Sequence, residues 1–512
     1  MDGGIADWIA RRAQRRPGAV ALVDVATAAR LTYADLDRRV GARAAALAAL
    51  GIEAGARVAL LGENSAAYLE WLFGAARLGA IAVPINHRLS PGEVAHVLTD
   101  SGTAVLVRST AFTGLAGDAL EAAGSLPVIE LGEEPGDGVI EAHPVAGDDP
   151  CVIMYTSGTT GVPKGAVLTH DNMLWNAINM AVAGPGIGGT DITVAAAPLF
   201  HIGALGLSAL PLLYAGGTVV VVPSFDPAAF IDLLAREGVT TQFLVPAMWA
   251  ALTRLPALPP LPALRWAISG GAPCPVTVIE HFTERGWTFT EGFGMTELSP
   301  AALFLDADDV LTHAGSVGRP FMHVDARLVS ETGEDVGVGE DVGVGEVGEL
   351  VLRGPTVFAG YWNRPEATAE ALRTFPGEHA DRGWFRSGDL GVRDAEGFVT
   401  LVDRKKDMII TGGENVYPIE VEQVLHRHPE IADVAVVGVG DPEWGETVLA
   451  VVVASGEIDP AEVITYARER IAHFKAPRRV EVVDELPRNA TGKLLKRVLR
   501  EQFAGQTSAV AR

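Results

Sequence analysis

Leucines and alanines recur at helical spacing through residues 33–50, set among acids and arginines. The pattern predicts an amphipathic helix, with Thr32 as N-cap and Gly51 as the stop. The run 57–61 follows as a buried strand, then a helix near 65–78 and a strand over 80–84. Further apolar runs lie at 151–155, 217–222 and 266–269, and amphipathic stretches near 171–183, 226–237 and 275–285. Strand–helix alternation of this kind predicts α/β architecture with mainly parallel sheets.

The pattern changes after about residue 320. Short strands punctuated by glycine are expected at 326–329, 349–353 and 397–402, as in a small antiparallel sheet or barrel. Between two of them, residues 334–339 are repeated at once as 340–345, which reads as an elongated acidic turn with no catalytic role. Past Arg404 the predicted order is a helix at 418–428, strands at 432–439 and 447–453, a helix at 460–473, and a basic tail. That length suits a small independent α+β domain. The charged junction 403–407 marks the boundary, giving an N-terminal domain over 1–403, a hinge at 404–406 and a mobile C-terminal domain over 407–512.

The 48% hydrophobic and 20% charged content makes this a globular chain rather than a disordered one, and 512 residues exceed one core. Sixty-four acids against 40 bases leave a net charge of −24, which disfavours nucleic acid and anionic membrane as main partners. Cys151 and Cys274 form no C-x-x-C pair, so neither a zinc site nor a disulfide framework is suggested. No apolar run reaches the roughly 18 residues of a spanning helix, and Met1 to Arg16 lacks a signal-peptide core. The expectation is a cytoplasmic protein without a transmembrane segment, with peripheral membrane contact and oligomeric state left open.

The most informative segment is Tyr155-Thr156-Ser157-Gly158-Thr159-Thr160-Gly161-Val162-Pro163-Lys164-Gly165. Glycines let backbone N–H groups face a ligand, hydroxyls add donors, and the lysine adds a mobile positive charge, a combination suited to polyphosphate. Its spacing is not that of the Walker A loop. Five further segments carry chemistry: His201 among apolar residues in 198–203, Thr296 and Glu297 closing 292–297, Asp389 in 384–390, the basic-then-glycine run 403–416, and Lys493 in 487–493. Taken singly, four of the five also have a plain structural reading, as a core histidine, a helix start, an Asx turn or a solvated lysine.

In this order the segments are far more specific. The motifs Y-T-S-G-T-T-G-x-P-K-G, G-F-G-M-T-E, G-E-L-x-x-R-G, R-S-G-D-L, D-R-x-K-D-M-I, G-G-E-N-V-Y-P and P-R-N-x-T-G-K span residues 155–493. Over roughly 10–500 the chain resembles the adenylate-forming (AMP-binding) superfamily, with greatest similarity to the bacterial fatty-acyl-CoA ligases. The resemblance implies ATP, Mg²⁺ and coenzyme A as cofactors, and a carboxylic acid substrate activated as an acyl-adenylate. It places Thr156, Ser157, Gly158, Thr159, Thr160, Gly161 and Lys164 on the β- and γ-phosphates, Thr296 on the α-phosphate and Glu297 on the metal. Gly271, Ala272 and Phe293 line an adenine slot; Asp389, assisted by Arg404, holds the ribose. Lys493 bridges carboxylate and α-phosphate, the hinge falls at Lys406, and Gly412, Gly413 and Trp444 approach the pantetheine thiol. Arg88, Phe474 and Arg478 match positions that touch the CoA nucleotide in some relatives.

His201 falls where relatives border the acyl pocket, and amino-acid-activating relatives carry an aspartate there instead. An α-amino acid is therefore disfavoured. Small residues nearby (Gly203, Ala204, Gly206, Ala272) leave room for a bulky or long tail. The expected activity is that of an ATP-dependent acyl-CoA synthetase for an apolar acid, fatty or ring-bearing. The alternative is an acyl-AMP ligase that loads a carrier-protein phosphopantetheine or another nucleophile.

Overall fold

The computed structural model describes residues 4–134, 136, 138, 140–156, 163–330, 341–374, 383–404, 407–411, 414–441, 444–488 and 494–504. The chain divides into two compact units, Met1–Ala326 with Leu352–Phe385, and Arg327–Val351 with Arg386–Arg512.

Among the described residues, the first unit holds three sheets. The largest runs in the order Gly360–Tyr361, Lys164–Thr169, Pro150–Thr156, Ile81–Ile85, Arg57–Leu61, Thr103–Arg108, Val128–Glu130. Its centre is parallel, and Pro150–Thr156 with Lys164–Thr169 forms an antiparallel hairpin toward one edge. Strands covered on both faces carry continuous apolar runs, which is why 57–61 and 81–85 are legible as strands. A second sheet contains Ala29–Thr32, Val20–Asp24, Thr218–Val221 and Ile192–Ala195. The third orders Thr241–Leu244, Trp266–Gly270, Phe289–Gly294, Ala301–Leu305 and Arg319–Pro320.

The helix predicted over 33–50 is Tyr33–Ala49, closed at its start by a reciprocal Thr32–Asp35 capping box. It is tied to the helix Ala66–Arg77 by Glu70, fully buried, which accepts from Arg39 Nε at 2.5 Å and from Arg43 Nη2 at 2.9 Å. No helix of the described residues is long and apolar enough to cross a membrane.

In the second unit, Ile409–Thr411, Glu414–Val416, Ile431–Asp441, Gly445–Ala454 and Arg479–Val482 form one sheet. Its two faces alternate as the strand period requires. Val434, Val436, Val448, Ala450 and Val452 pack on the helices Pro418–Leu425 and Pro460–Arg468. Ala435, Val437, Val439, Leu449 and Val451 pack on Leu499 and Phe503 of the helix Lys496–Phe503. The helix expected over 460–473 stops at Arg468. Beyond it Ala476 is drawn into the core, and the chain turns to lay Arg479–Val482 parallel to Gly445–Ala454.

The remaining sheet is the small one expected after residue 320. It contains Asp325–Val329, Gly348–Arg353, Trp384–Arg393, Leu372–Arg373 and Val399–Arg404, and the division between units passes through its strands. Of the repeated acidic turn, residues 334–340 lie outside the described residues. Asp341 of the second copy bridges to Val329, and its carboxylate accepts from Arg327 Nε at 2.6 Å.

Candidate active site

The hairpin carries the polar loop between its two strands. Thr156 pairs with Lys164 and Tyr155 with Gly165, the last registers before the connection. Gly165 has no space for a Cβ, which would stand 2.6 Å from Ile153 and 3.2 Å from the Tyr155 ring. The strand Gly360–Tyr361 pairs beside it, putting Tyr361 opposite Ala166. From there the Tyr361 ring lies 5.2 Å from Lys164 Nζ, and its hydroxyl donates to Glu297 Oε1 at 2.8 Å. Phe358 N–H donates to the Glu297 carbonyl at 2.9 Å. Two residues far apart in sequence, Lys164 and Glu297, are thus brought onto one tyrosine.

Thr296 and Glu297 open the short turn Thr296–Leu298, directly after the strand Phe289–Gly294. The strand must end in glycine there: a Cβ on Gly294 would stand 2.0 Å from the Pro300 carbonyl oxygen. Phe293 is half-buried on the same strand, whose Gly292 pairs with Gly270. Gly271 and Ala272 follow Gly270 and are exposed, Gly271 with φ +89°. Glu297 presents hard carboxylate oxygen, the donor type Mg²⁺ prefers when phosphates and water complete its shell. No cluster of three or more His, Cys, Asp or Glu able to hold a metal by itself occurs among the described residues.

His201 is half-buried, with Phe200 packed on it at 4.5 Å between ring centroids. Phe200 meets His87 edge-on at 5.0 Å, and His87 stacks on Phe112 at 4.7 Å. Burial pushes the His201 imidazole down to about 3, with Arg88 and His87 adding to the effect, so the ring is neutral at physiological pH. Its Nε2 has no partner among the described residues. Asn64, which the sequence reading passed over, fixes the approach to this histidine. Its Nδ2 donates to the carbonyls of Ala195 at 3.1 Å and Ala197 at 2.9 Å, and its Oδ1 accepts from Leu199 N at 2.8 Å.

The glycines after His201 do not open free space, contrary to the sequence expectation. A Cβ on Gly206 would stand 2.5 Å from the Pro300 ring, and one on Gly203 would stand 3.3 Å from the Phe243 ring. These positions are small because their neighbours already fill them.

Glu291 is a second residue that the sequence reading missed. Its side chain is buried, Oε1 accepts from Cys274 N at 3.0 Å, and Oε2 has no partner among the described residues. Burial raises its pKa from 4.5 to about 8. The folded chain therefore holds a proton that the unfolded chain releases above pH 4.5. Burying this group costs stability increasingly from pH 4.5 to pH 8, and costs nothing below that window. Glu291→Gln is expected to raise the melting temperature by roughly 2–5 °C at pH 8 and by under about 1 °C at pH 5. Thermal unfolding at the two pH values measures this, and equal shifts would contradict a neutral buried acid.

In the second unit, Asp389 is buried and stands in register with Arg404. Ser387 Oγ donates to the Leu350 carbonyl at 2.6 Å and accepts from Asp389 N at 3.0 Å, while Gly388 between them takes φ +71°. Trp444 lies under the Arg478 guanidinium at 4.0 Å, so two residues expected at different parts of CoA are neighbours. Phe474 is exposed, with Lys475 Nζ 5.8 Å from its ring. Ser157, Gly158, Thr159, Thr160, Gly161, Lys406, Gly412, Gly413 and Lys493, and the side chain of Arg404, lie outside the described residues.

The AMP-binding enzyme family matches residues 9–362, and the AMP-binding enzyme C-terminal domain matches residues 420–493. A feruloyl-CoA synthase of Amycolatopsis sp is 44% identical over 505 residues, covering 98% of this chain and 99% of the relative. A long-chain-fatty-acid–CoA ligase of Mycobacterium tuberculosis is 38% identical over 511 residues, covering 97% of this chain and 98% of the relative. The solved O-succinylbenzoate coenzyme A synthetase of Bacillus subtilis, in complex with ATP and magnesium ion, is similar with a TM-score of 0.85 at 33% identity, covering 96% of this chain and 98% of that one. The chain therefore belongs to the AMP-binding enzyme family, the adenylate-forming superfamily that its ordered motifs resemble.

Proposed function

We propose that this chain is an ATP- and Mg²⁺-dependent acyl-CoA synthetase acting on an apolar, ring-bearing carboxylic acid of the feruloyl type. The observation that carries the reading is the convergence of Lys164 and Glu297 on Tyr361 beside the hairpin loop. In the first half-reaction a substrate carboxylate oxygen attacks the α-phosphorus of ATP. The bond from the α-phosphorus to the bridging oxygen breaks, and pyrophosphate leaves with its electrons. The loop from Thr156 to Lys164 holds the β- and γ-phosphates, Thr296 contacts the α-phosphate, and Gly271, Ala272 and Phe293 flank the adenine. Asp389 and Arg404 hold the ribose. Glu297 would hold Mg²⁺, which supplies neutralisation of phosphate charge. Lys493 stands between carboxylate and α-phosphate as a compact positive charge.

In the second half-reaction the CoA thiolate attacks the acyl carbonyl carbon, and AMP departs with the bonding pair. Gly412, Gly413 and Trp444 serve that step. We assign residues 404–406 as the hinge between a domain over 1–403 and a domain over 407–512, with the exchange of Lys493 for Gly412 and Gly413 turning on Lys406.

The preference for a ring rests on two supports. The residues around His201 include the aromatic rings of His87, Phe112 and Phe200 in sequence, and a neutral His201 offers no counter-ion to an amino group. Gly203 and Gly206 have Phe243 and Pro300 packed where a Cβ would stand. AMP release with CoA present, measured across ferulate, cinnamate, hexanoate, palmitate and phenylalanine, tests this. A hydroxycinnamate is expected to exceed palmitate at least about tenfold in kcat/KM. Turnover of fatty acids alone would overturn the ring preference, and AMP release with no acid would overturn the activity.

A further inference from the structure

We infer that the helix Pro91–Ser101 is a positioning element for the phosphate hairpin, holding both ends of its loop through two residues one turn apart, His96 and Asp100. The inference rests on the reading that the run 157–162 binds the triphosphate.

On the entry side, the Tyr155 hydroxyl donates to Asp100 Oδ2 at 2.8 Å. On the exit side, His96 Nε2 lies 3.3 Å from the Pro163 carbonyl oxygen, so Nε2 carries the proton and donates. The His96 ring also meets the Tyr155 ring edge-on, with centroids 6.3 Å apart. Positions 96 and 100 lie one above the other on a helix face, so a single rigid element reaches both strands of the hairpin. Burial and the bond to Asp100 push the Tyr155 phenol up, which keeps it a hydrogen-bond donor.

The helix is itself well fixed. A Ser90–Glu93 capping box and Pro91 start it, and Gly102 ends it at φ +63°. Val94, Val97 and Leu98 bury its other face in the core of the large sheet. Asp100 has a second donor, Arg364 Nη2, at 2.5 Å from Oδ1. Arg364 follows the strand that carries Tyr361, and Trp362 N–H donates to the Gly165 carbonyl at 2.8 Å. The same network thereby joins the hairpin ends to the residue that touches Glu297.

The physical need is plain. Ordering the backbone of a loop around a triphosphate costs conformational entropy. Fixing the separation of its two ends removes part of that cost before ATP arrives. His96 and Asp100 need touch no ligand to do this.

The test compares His96→Ala, His96→Gln and Asp100→Asn by ATP–pyrophosphate exchange, with melting temperatures measured alongside. His96→Ala is expected to raise KM for ATP about fivefold, the scale of one lost hydrogen bond, while KM for the acid stays within about twofold and the fold stays intact. His96→Gln, which keeps a donor at similar reach, should recover most of the loss. Asp100→Asn, which can no longer accept from both Tyr155 and Arg364 with a charged group, should shift KM for ATP in the same direction. An unchanged KM for ATP in His96→Ala, or equal loss in His96→Ala and His96→Gln, would overturn the inference. A proportional rise in both KM values would also overturn it, since that marks general loosening. Ser157→Ala with Thr160→Ala serves as the separate arm. If that double variant leaves KM for ATP unchanged, the phosphate reading of the loop fails; if it raises KM while His96→Ala does not, only the clamp fails.

Discussion

Lys493→Ala is expected to slow acid-dependent ATP–pyrophosphate exchange by roughly 10²–10³-fold while nucleotide binding stays within about threefold. During adenylation, negative charge concentrates between two anions that repel each other, the incoming carboxylate and the α-phosphate oxygens. A cation placed there is worth more in the transition state than in the ground state, because only then are the anions in bonding distance. The loss therefore falls on turnover rather than on affinity for ATP. Lys493→Arg should restore little, since a planar guanidinium does not replace a compact point charge. The second half-reaction supplies the control. Thioester formation from CoA and preformed acyl-adenylate needs no such bridge and should fall far less. Unchanged exchange in Lys493→Ala would remove the residue from the chemistry. Equal loss in both halves would make it structural.

What was legible in the sequence was what depends on neighbours along the chain. The helix start at Thr32 follows from a hydroxyl residue placed just before the helical period, and it forms as expected. The valine-rich strands of the second unit were legible because both of their faces are covered. The ordered motifs carried the family, since each is a short run whose residues are neighbours along the chain. What was not legible depends on strand order and on distant partners. Gly203 and Gly206 suggested an open pocket, but their meaning is set by Phe243 and Pro300. Glu291 and Asn64 looked like ordinary polar positions until the sheets buried them. His96 and Asp100 had the spacing of any helix face, and only the placement of Pro150–Thr156 and Lys164–Thr169 gave them partners. The end of the helix at Arg468 was set by a strand pairing that no local signal announces.

Glu297→Gln is expected to raise the Mg²⁺ concentration for half-maximal activity roughly tenfold or more and to lower kcat/KM for ATP about a hundredfold, with the fold retained. The amide is nearly isosteric and still accepts from Tyr361 at the position Oε1 now holds. The backbone contact of Glu297 with Phe358 is untouched by the change. Only the charge is lost, and charge is what a hard divalent cation selects. Tyr361→Phe separates orientation from ligation. It removes the hydroxyl that aims Glu297 and keeps the ring beside Lys164, so its effect on the Mg²⁺ titration should be no more than about fivefold. If Glu297→Gln leaves the Mg²⁺ titration where it was, the carboxylate serves to anchor Tyr361 and the metal is held elsewhere. If Tyr361→Phe proves the more damaging of the two, the tyrosine rather than the acid organises this corner, and Lys164 would become the residue it serves.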